Sequence, residues 1–311
     1  MYEAPRLNVG ARVSRGQKAW LALALGALVS AALGGCAEAT VPQPVPGEAP
    51  MAAAGAGNVE PAPEPVMNEV PAPSGPTPLA KLSTDGPIKI VAVGDSITRA
   101  TCWRASLWDK LNQSFASRFD FVGTLKSDNG CAPAGYDQDN QGYSSSLVTE
   151  IVANITTARM CDPNPCPALA DLQQALMTDR ADVALMHFGT NDVWNSKNPE
   201  DIVNGYSAVV AALRAANPKV VILVAQIIPM NVTASTCSGC TCAGCVTGVP
   251  ALNTRITSWA AEHDSPDSPI RVVDQYDGYD ATADNRDGVH PNPQGSQKMA
   301  EQWYAALVPL F

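Results

Sequence analysis

The sequence predicts an α/β domain whose parallel sheet is covered by helices on both faces. From residue 86 onward, short runs of Val, Ile and Leu alternate with stretches of helical periodicity. Those runs are near-continuous in Val, Ile and Leu, as expected of parallel strands buried on both faces. The chain has 311 residues, enough for one large domain with its own core.

The elements follow in order. "IKIVAV" (88–93) reads as the first strand. Residues 103–118 read as a helix, with Leu107, Leu111 and Phe115 at fourfold spacing. "FDFVG" (119–123) is the second strand, and the Gly-, Asp- and Ser-rich stretch to about 146 reads as a loop. Helices are expected near 147–159 and 167–179, then a third strand at "DVALMHF" (182–188). A helix at 199–216 stops before Pro218, and "KVVILVAQI" (219–227) is the fourth strand. A cysteine-bearing loop leads to a helix at 250–263, "IRVVD" (270–274) is the fifth strand, and residues 293–308 form the last helix. No internal repeat is visible.

Residues 1–35 read as an export signal rather than fold. Arg6, Arg12, Arg15 and Lys18 precede an apolar stretch at 19–33, too short to span a membrane comfortably. Leu33-Gly34-Gly35-Cys36 resembles the lipobox of bacterial lipoproteins, which implies lipidation at Cys36 and an outer-membrane or extracellular location. Residues 36–80 form a second region: 37–80 hold eleven of the 26 prolines, five glutamates and no Lys or Arg. Such a segment buries too little apolar surface to offset its ordering entropy and is expected to be a disordered tether. Fully extended it reaches roughly 130 Å, at ~3.1 Å per residue. Residues 81–311 are the expected catalytic domain.

The whole chain carries a net charge of −10, or −13 without residues 1–35. No basic stripe is present, which argues against nucleic-acid binding. Eight cysteines follow Cys36: Cys102, Cys131, Cys161, Cys166, Cys237, Cys240, Cys242 and Cys245. An even number in an exported chain points to disulfides. Cys161 and Cys166 bracket "DPNP", a local loop closure; "CSGCTCAGC" also has spacing that holds zinc or an iron–sulfur cluster. The wider pairing is not legible.

In an open parallel sheet, ligands bind beyond the carboxyl ends of the strands. "GDS" (94–96), "GTND" (189–192) and "DGVHPN" (287–292) all fall on that rim. A serine hydroxyl is a weak nucleophile without an adjacent base. His290 is the candidate base for Ser96, a role worth roughly 10²–10⁴ in rate. Asp287, three residues earlier, can reach Nδ1 in a tight turn and fix the tautomer. The Ser96 N–H, the Asn191 amide and a glycine N–H are candidate donors for a tetrahedral oxyanion.

Gly94-Asp95-Ser96-Ile97-Thr98, Gly189-Thr190-Asn191-Asp192 and Asp287-Gly288-Val289-His290-Pro291-Asn292 resemble the blocks of the SGNH (GDSL) hydrolases, in that family's order. The resemblance implies a flavodoxin-like three-layer α/β/α sandwich with a five-stranded parallel sheet. It also implies a Ser96–His290–Asp287 site and an oxyanion glycine, which maps onto Gly142 in "DNQGYSSS". Within the family the chain is most similar to carbohydrate esterase family 3, the acetylxylan esterases, through "GTNDV" and "IIPM" (227–230). It departs from that pattern with Asn140-Gln141 in place of His-Glu, and with "SSS" lacking a later glycine.

The expected activity is therefore serine esterase action on acyl esters, with acetylated polysaccharide such as xylan as the favoured substrate. It needs no metal or organic cofactor. The partners expected are that polymer or a small ester, a membrane through the lipid anchor only, and no second subunit. The alternatives are a lipid-directed esterase or thioesterase on the same fold and a non-catalytic carbohydrate-binding lipoprotein. Of the other polar residues, His187 reads as a packed core imidazole and His263 as solvated. Asp95 and Asp192 read as turn braces, Arg104 as a brace of the active-site loop, and Asp277, Asp280 and Asp284 as a solvated acidic loop with some likeness to a calcium site. Asp284 is also the fallback partner for His290.

Overall fold

The run Ile88–Gly94 forms β1 at the centre of the sheet, with every residue buried except Lys89. The computed structural model describes residues 79–82, 85–232, 242 and 244–311. The expectations for residues 1–35, Cys36, 37–78, Cys237 and Cys240 lie outside these residues.

β1 is followed by α1 (Ser96–Arg99), α2 (Trp103–Phe115), β2 (Phe119–Val122), β3 (Leu125–Lys126) and β4 (Asp139–Gly142). Next come α3 (Val148–Val152), α4 (Leu169–Asp179), β5 (Val183–His187), α5 (Thr190–Trp194) and α6 (Pro199–Ala216). The chain ends with β6 (Val221–Gln226), α7 (Cys245–His263), β7 (Ile270–Asp274) and α8 (Pro293–Leu307). The strands β2, β1, β5, β6 and β7 lie side by side and parallel. These are the five strands expected from the sequence.

Two further strands, β3 and β4, fall within the stretch whose sequence predicts a loop. β4 pairs with β1 beyond β2, matching Gly94 with Gly142, and β3 runs antiparallel to β4. The sequence of β4, Asp-Asn-Gln-Gly, lacks apolar periodicity. Its side chains supply the support instead: Asn140 Nδ2 donates to the carbonyls of Leu125 and Gln138, and Gln141 Nε2 donates to Asp179.

Side chains alternate between two cores, as a twofold strand period requires. Ile90, Ala92, Val183, Leu185 and Leu223 face α2 and α8, whose Trp103, Leu107, Met299 and Trp303 are buried against them. Val91, Val93, Ala184, Met186 and Ile222 face α4, α6 and α7. The result is a three-layer α/β/α sandwich. α6 and α8 begin where predicted because each opens on Asn-Pro. Asn198 caps the Glu200 N–H, Asn292 caps Gln294 and Gly295, and the proline takes the first helical position. α3 ends earlier than expected, at Val152, and α7 begins earlier, at Cys245.

Among the described residues, three disulfides join Cys102 to Cys131, Cys161 to Cys166 and Cys242 to Cys245. The cysteine run therefore contributes at least one disulfide through Cys242 and Cys245.

Candidate active site

Ser96 opens α1 directly after β1, at the carboxyl edge of the sheet. The turn is tight: a Cβ on Gly94 would collide with Thr98 Oγ1 and the His187 carbonyl, so only glycine fits there. Asp95 caps the helix, its Oδ1 accepting the Ile97 N–H at 2.9 Å. As the first residue of α1, Ser96 has no intrahelical acceptor for its own N–H.

His290 approaches from the segment between β7 and α8, its Nε2 2.8 Å from Ser96 Oγ. Its Nδ1 lies 2.8 Å from Asp287 Oδ2. A carboxylate only accepts, so Nδ1 carries the proton and Nε2 is left as the acceptor for the serine O–H. Asp287 is itself fixed, since its Oδ1 accepts the N–H groups of Val289 (3.1 Å) and His290 (2.8 Å). Partial burial pushes this carboxyl up, but the His290 N–H, the His290 ring and the Val289 N–H outweigh that and hold it below the usual carboxylate range. Asp287 thus faces His290 as an anion. Asp284, the fallback partner, points elsewhere: it is fully buried and bonds Lys298 Nζ at 2.7 Å.

Asn191 enters on α5, immediately after β5, with Nδ2 donating to the Ser146 carbonyl at 3.0 Å. Asp192 beside it anchors α3, accepting from Val148 N, Thr149 N and Thr149 Oγ1.

Gly142 is placed differently from its expected role. Its N–H donates to Asn140 Oδ1 at 2.9 Å and is not open to a substrate. What requires glycine here is contact: a Cβ would lie 2.7 Å from the backbone nitrogen of Arg99 on α1. Along the following loop, the N–H groups of Tyr143, Ser144 and Ser146 bond the carbonyls of Gly94, Asp162 and Tyr143. Ser145 is exposed, sits at φ +65 and engages no acceptor among the described residues. The serine run "SSS" gave one signal of this, since it stands where a later glycine was missed.

Arg104 braces the active-site loop, as expected from the sequence. It is fully buried, and its guanidinium reaches Thr98 O (2.8 Å), Gln138 O (3.1 Å), Ser127 O (3.1 Å) and Ser127 Oγ (2.7 Å). Burial lowers its pKa, offset in part by Tyr136. It ties the end of α1 to segments on either side of Cys131.

Asp95 and His187 lie fully buried beneath the rim. Desolvation pushes Asp95 up to about 7, opposed by the Ile97 N–H. The same cause pushes His187 down to about 4, which keeps the imidazole neutral.

His263 is packed rather than solvated: its Nδ1 lies 2.9 Å from the Trp259 carbonyl, its Nε2 3.3 Å from Ser207 Oγ, and its ring stacks on Trp259. In the acidic loop, Asp280 accepts from the N–H groups of Thr282 and Ala283, and Lys298 Nζ bonds both Asp284 and the Gly278 carbonyl. An ammonium thus occupies the centre of that loop. No group of three or more potential metal ligands occurs among the described residues. A cavity of about 410 Å³, lined by Leu79, Leu82, Lys219 and Pro266, lies at the amino ends of β6 and β7 and includes none of the three motifs.

Residues 92–298 match the model of the GDSL-like lipase/acylhydrolase family. A search of curated proteins finds no significant match. Among solved structures, the chain is similar to an acetyl esterase mutant crystallised with an acetate ion, at 28% identity and a TM-score of 0.59, over 72% of this chain and 97% of that one. A carbohydrate esterase family 3 protein from Talaromyces cellulolyticus gives the same identity, TM-score and coverage. A family 3 carbohydrate esterase from Clostridium thermocellum shares the fold at 23% identity and a TM-score of 0.54, over 71% of this chain and 95% of that one. The chain therefore belongs to the GDSL-like lipase/acylhydrolase family and is a carboxylic ester hydrolase.

Proposed function

We propose that the protein removes acetyl groups from an acetylated polysaccharide such as xylan, with Ser96, His290 and Asp287 as its catalytic triad. The observation that carries the reading is the relay of two 2.8 Å contacts from Ser96 Oγ through His290 to Asp287. The 28% identity to an acetyl esterase and to a family 3 carbohydrate esterase supports the acetyl preference.

In this reading Ser96 Oγ attacks the ester carbonyl while its proton passes to His290 Nε2. The imidazolium formed is stabilised by Asp287 and returns the proton to the departing sugar oxygen as the C–O bond breaks. Water, deprotonated by His290, then attacks the acetyl-serine and releases acetate. The oxyanion of each tetrahedral intermediate lies against the Ser96 N–H and Asn191 Nδ2. The Ser145 N–H takes the third place that sequence resemblance assigns to Gly142. Each such donor is worth about 10²–10³ in rate.

The reading extends to location. We propose export, lipidation at Cys36 and attachment to the envelope through the Pro-rich segment, with the chain acting as a monomer. The three disulfides fit an oxidising compartment.

The test is acetate release from acetylated xylan by the full-length chain, beside p-nitrophenyl acetate, a long-chain p-nitrophenyl ester and Ser96→Ala. Ser96-dependent release that favours acetyl supports the proposal. Rates that rise with acyl length would move the substrate to lipids. Loss of every Ser96-dependent cleavage would leave a binding protein on a hydrolase scaffold.

A further inference from the structure

The Cys161–Cys166 disulfide closes a short loop beside the site, and Asp162 within it makes two kinds of contact. Its backbone pairs with Ser144: the Ser144 N–H donates to the Asp162 carbonyl at 2.9 Å, and the Asp162 N–H donates back at 3.4 Å. Its carboxylate accepts from Arg99 Nε at 3.0 Å and from Arg99 Nη2 at 3.1 Å, a two-point contact with a fixed direction.

The two partners belong to different halves of the site. Arg99 lies three residues beyond Ser96 on α1, with its backbone packed against Gly142. Ser144 precedes Ser145, and the carbonyl of Ser146 holds the Asn191 amide. Asp162 therefore straps the helix that carries the nucleophile to the loop that carries or touches the other donors. Its side chain is 69% exposed and that of Arg99 13%, so solvent screens the carboxylate end of the pair and its contribution to global stability is modest.

We propose that Asp162 is a positioning residue of the hydrolytic site, setting through Arg99 and Ser144 the distance between Ser96 and the donors at Ser145 and Asn191. The inference rests on the esterase reading above. Oxyanion donors act on the charge that develops during reaction, so their displacement lowers kcat more than it raises KM.

The experiment uses the full-length chain and p-nitrophenyl acetate. Asp162→Ala is expected to lower kcat about tenfold while KM stays within about twofold. Both variants keep the backbone pairing with Ser144; Asp162→Asn also retains one acceptor for Arg99 and should lose only about threefold. Arg99→Met should match Asp162→Ala, and the double variant should fall no further than either single, because both act through one contact. Thermal unfolding of each variant checks folding; if Asp162→Ala does not fold, the Asp162→Asn kcat decides. Parental kcat in folded Asp162→Ala, parental kcat in Asp162→Asn where that variant decides, or single losses that multiply in the double variant would overturn the proposal. Ser96→Ala separates the two readings. If it stays active, the serine-esterase reading fails; if it is inactive and Asp162→Ala is parental, only the strap fails.

Discussion

Ser96 and His290 meet at 2.8 Å, yet the molecule holds them by opposite means. The base half is local. Asp287 and His290 sit three residues apart and fix each other through two backbone N–H bonds and one ring bond. Their side chains remain partly open to solvent, 38% for Asp287 and 25% for His290. The nucleophile half is assembled at long range. Asp95 and Arg104 are fully buried around α1, and the guanidinium of Arg104 draws Thr98, Ser127 and Gln138 together. One half is a largely local turn, tied to the rest chiefly by the Asn231 N–H on the Gly288 carbonyl; the other is a rigid seat with many distant supports. Damage to the first should therefore cost chemistry with little loss of fold, and damage to the second should cost fold first.

The largest expected effect tests the local half. Asp287→Asn removes the anion that holds the His290 tautomer and should lower kcat on the order of 10³-fold or more. Thermal unfolding should shift little, because the carboxyl is part-exposed. A variant that lost its fold together with its activity would erase the contrast.

Arg104→Met tests the distant half. It leaves several buried carbonyls without a donor, at about 1–3 kcal/mol each before relaxation. Denaturant unfolding should show a loss of about 3 kcal/mol or more. Unchanged stability would mean that the seat of Ser96 does not depend on this arginine.

The same contrast explains what was legible. The five parallel strands are readable because each is a short, mainly apolar run with only isolated charged residues, as at Lys89, Asp120 and Arg271, and Ser96, Asn191 and His290 stand in short motifs at or beyond strand ends. Asp287 was readable because its partner is three residues away. β4 was not, because its polar residues are held by bonds to Leu125, Gln138 and Asp179 rather than by burial of an apolar face. Gly142 matched by position, but whether its N–H is open depends on the Asn140 side chain. The packing of His263 on Trp259 and Ser207 and the pairing of Asp284 with Lys298 are likewise tertiary facts.

A third prediction sharpens the picture of the seat. Asp95 takes its proton up to about 7 when folded but only to 3.8 when unfolded, so its contribution to stability is lost as pH rises from 4 to 7. His187 holds out against protonation to about 4 when folded but binds a proton at 6.5 when unfolded, so stability is lost as pH falls through the same window. The two slopes oppose each other. Asp95→Asn should leave a stability that climbs from pH 4 to 6.5, and His187→Leu one that declines from pH 4 to 7. Denaturant midpoints at intervals across the window measure both, and two variants with the same slope would refute the assignment.

The smallest effect concerns Ser145. Replacing it with glycine relieves a left-handed backbone and should stabilise the chain by about 1 kcal/mol or less. The N–H is retained, so kcat should hold. A marked fall in kcat would show that the serine side chain, and not its backbone, serves the reaction.

Covalent labelling of the nucleophile tests the Ser96–His290 assignment most directly. The full-length chain is treated with a fluorophosphonate, digested and mapped by mass spectrometry, alongside His290→Ala. One label per chain is expected, on Ser96, with labelling slowed at least ~10²-fold in the His290 variant. A label on any other residue, or equal labelling of Ser96 without His290, would contradict that assignment.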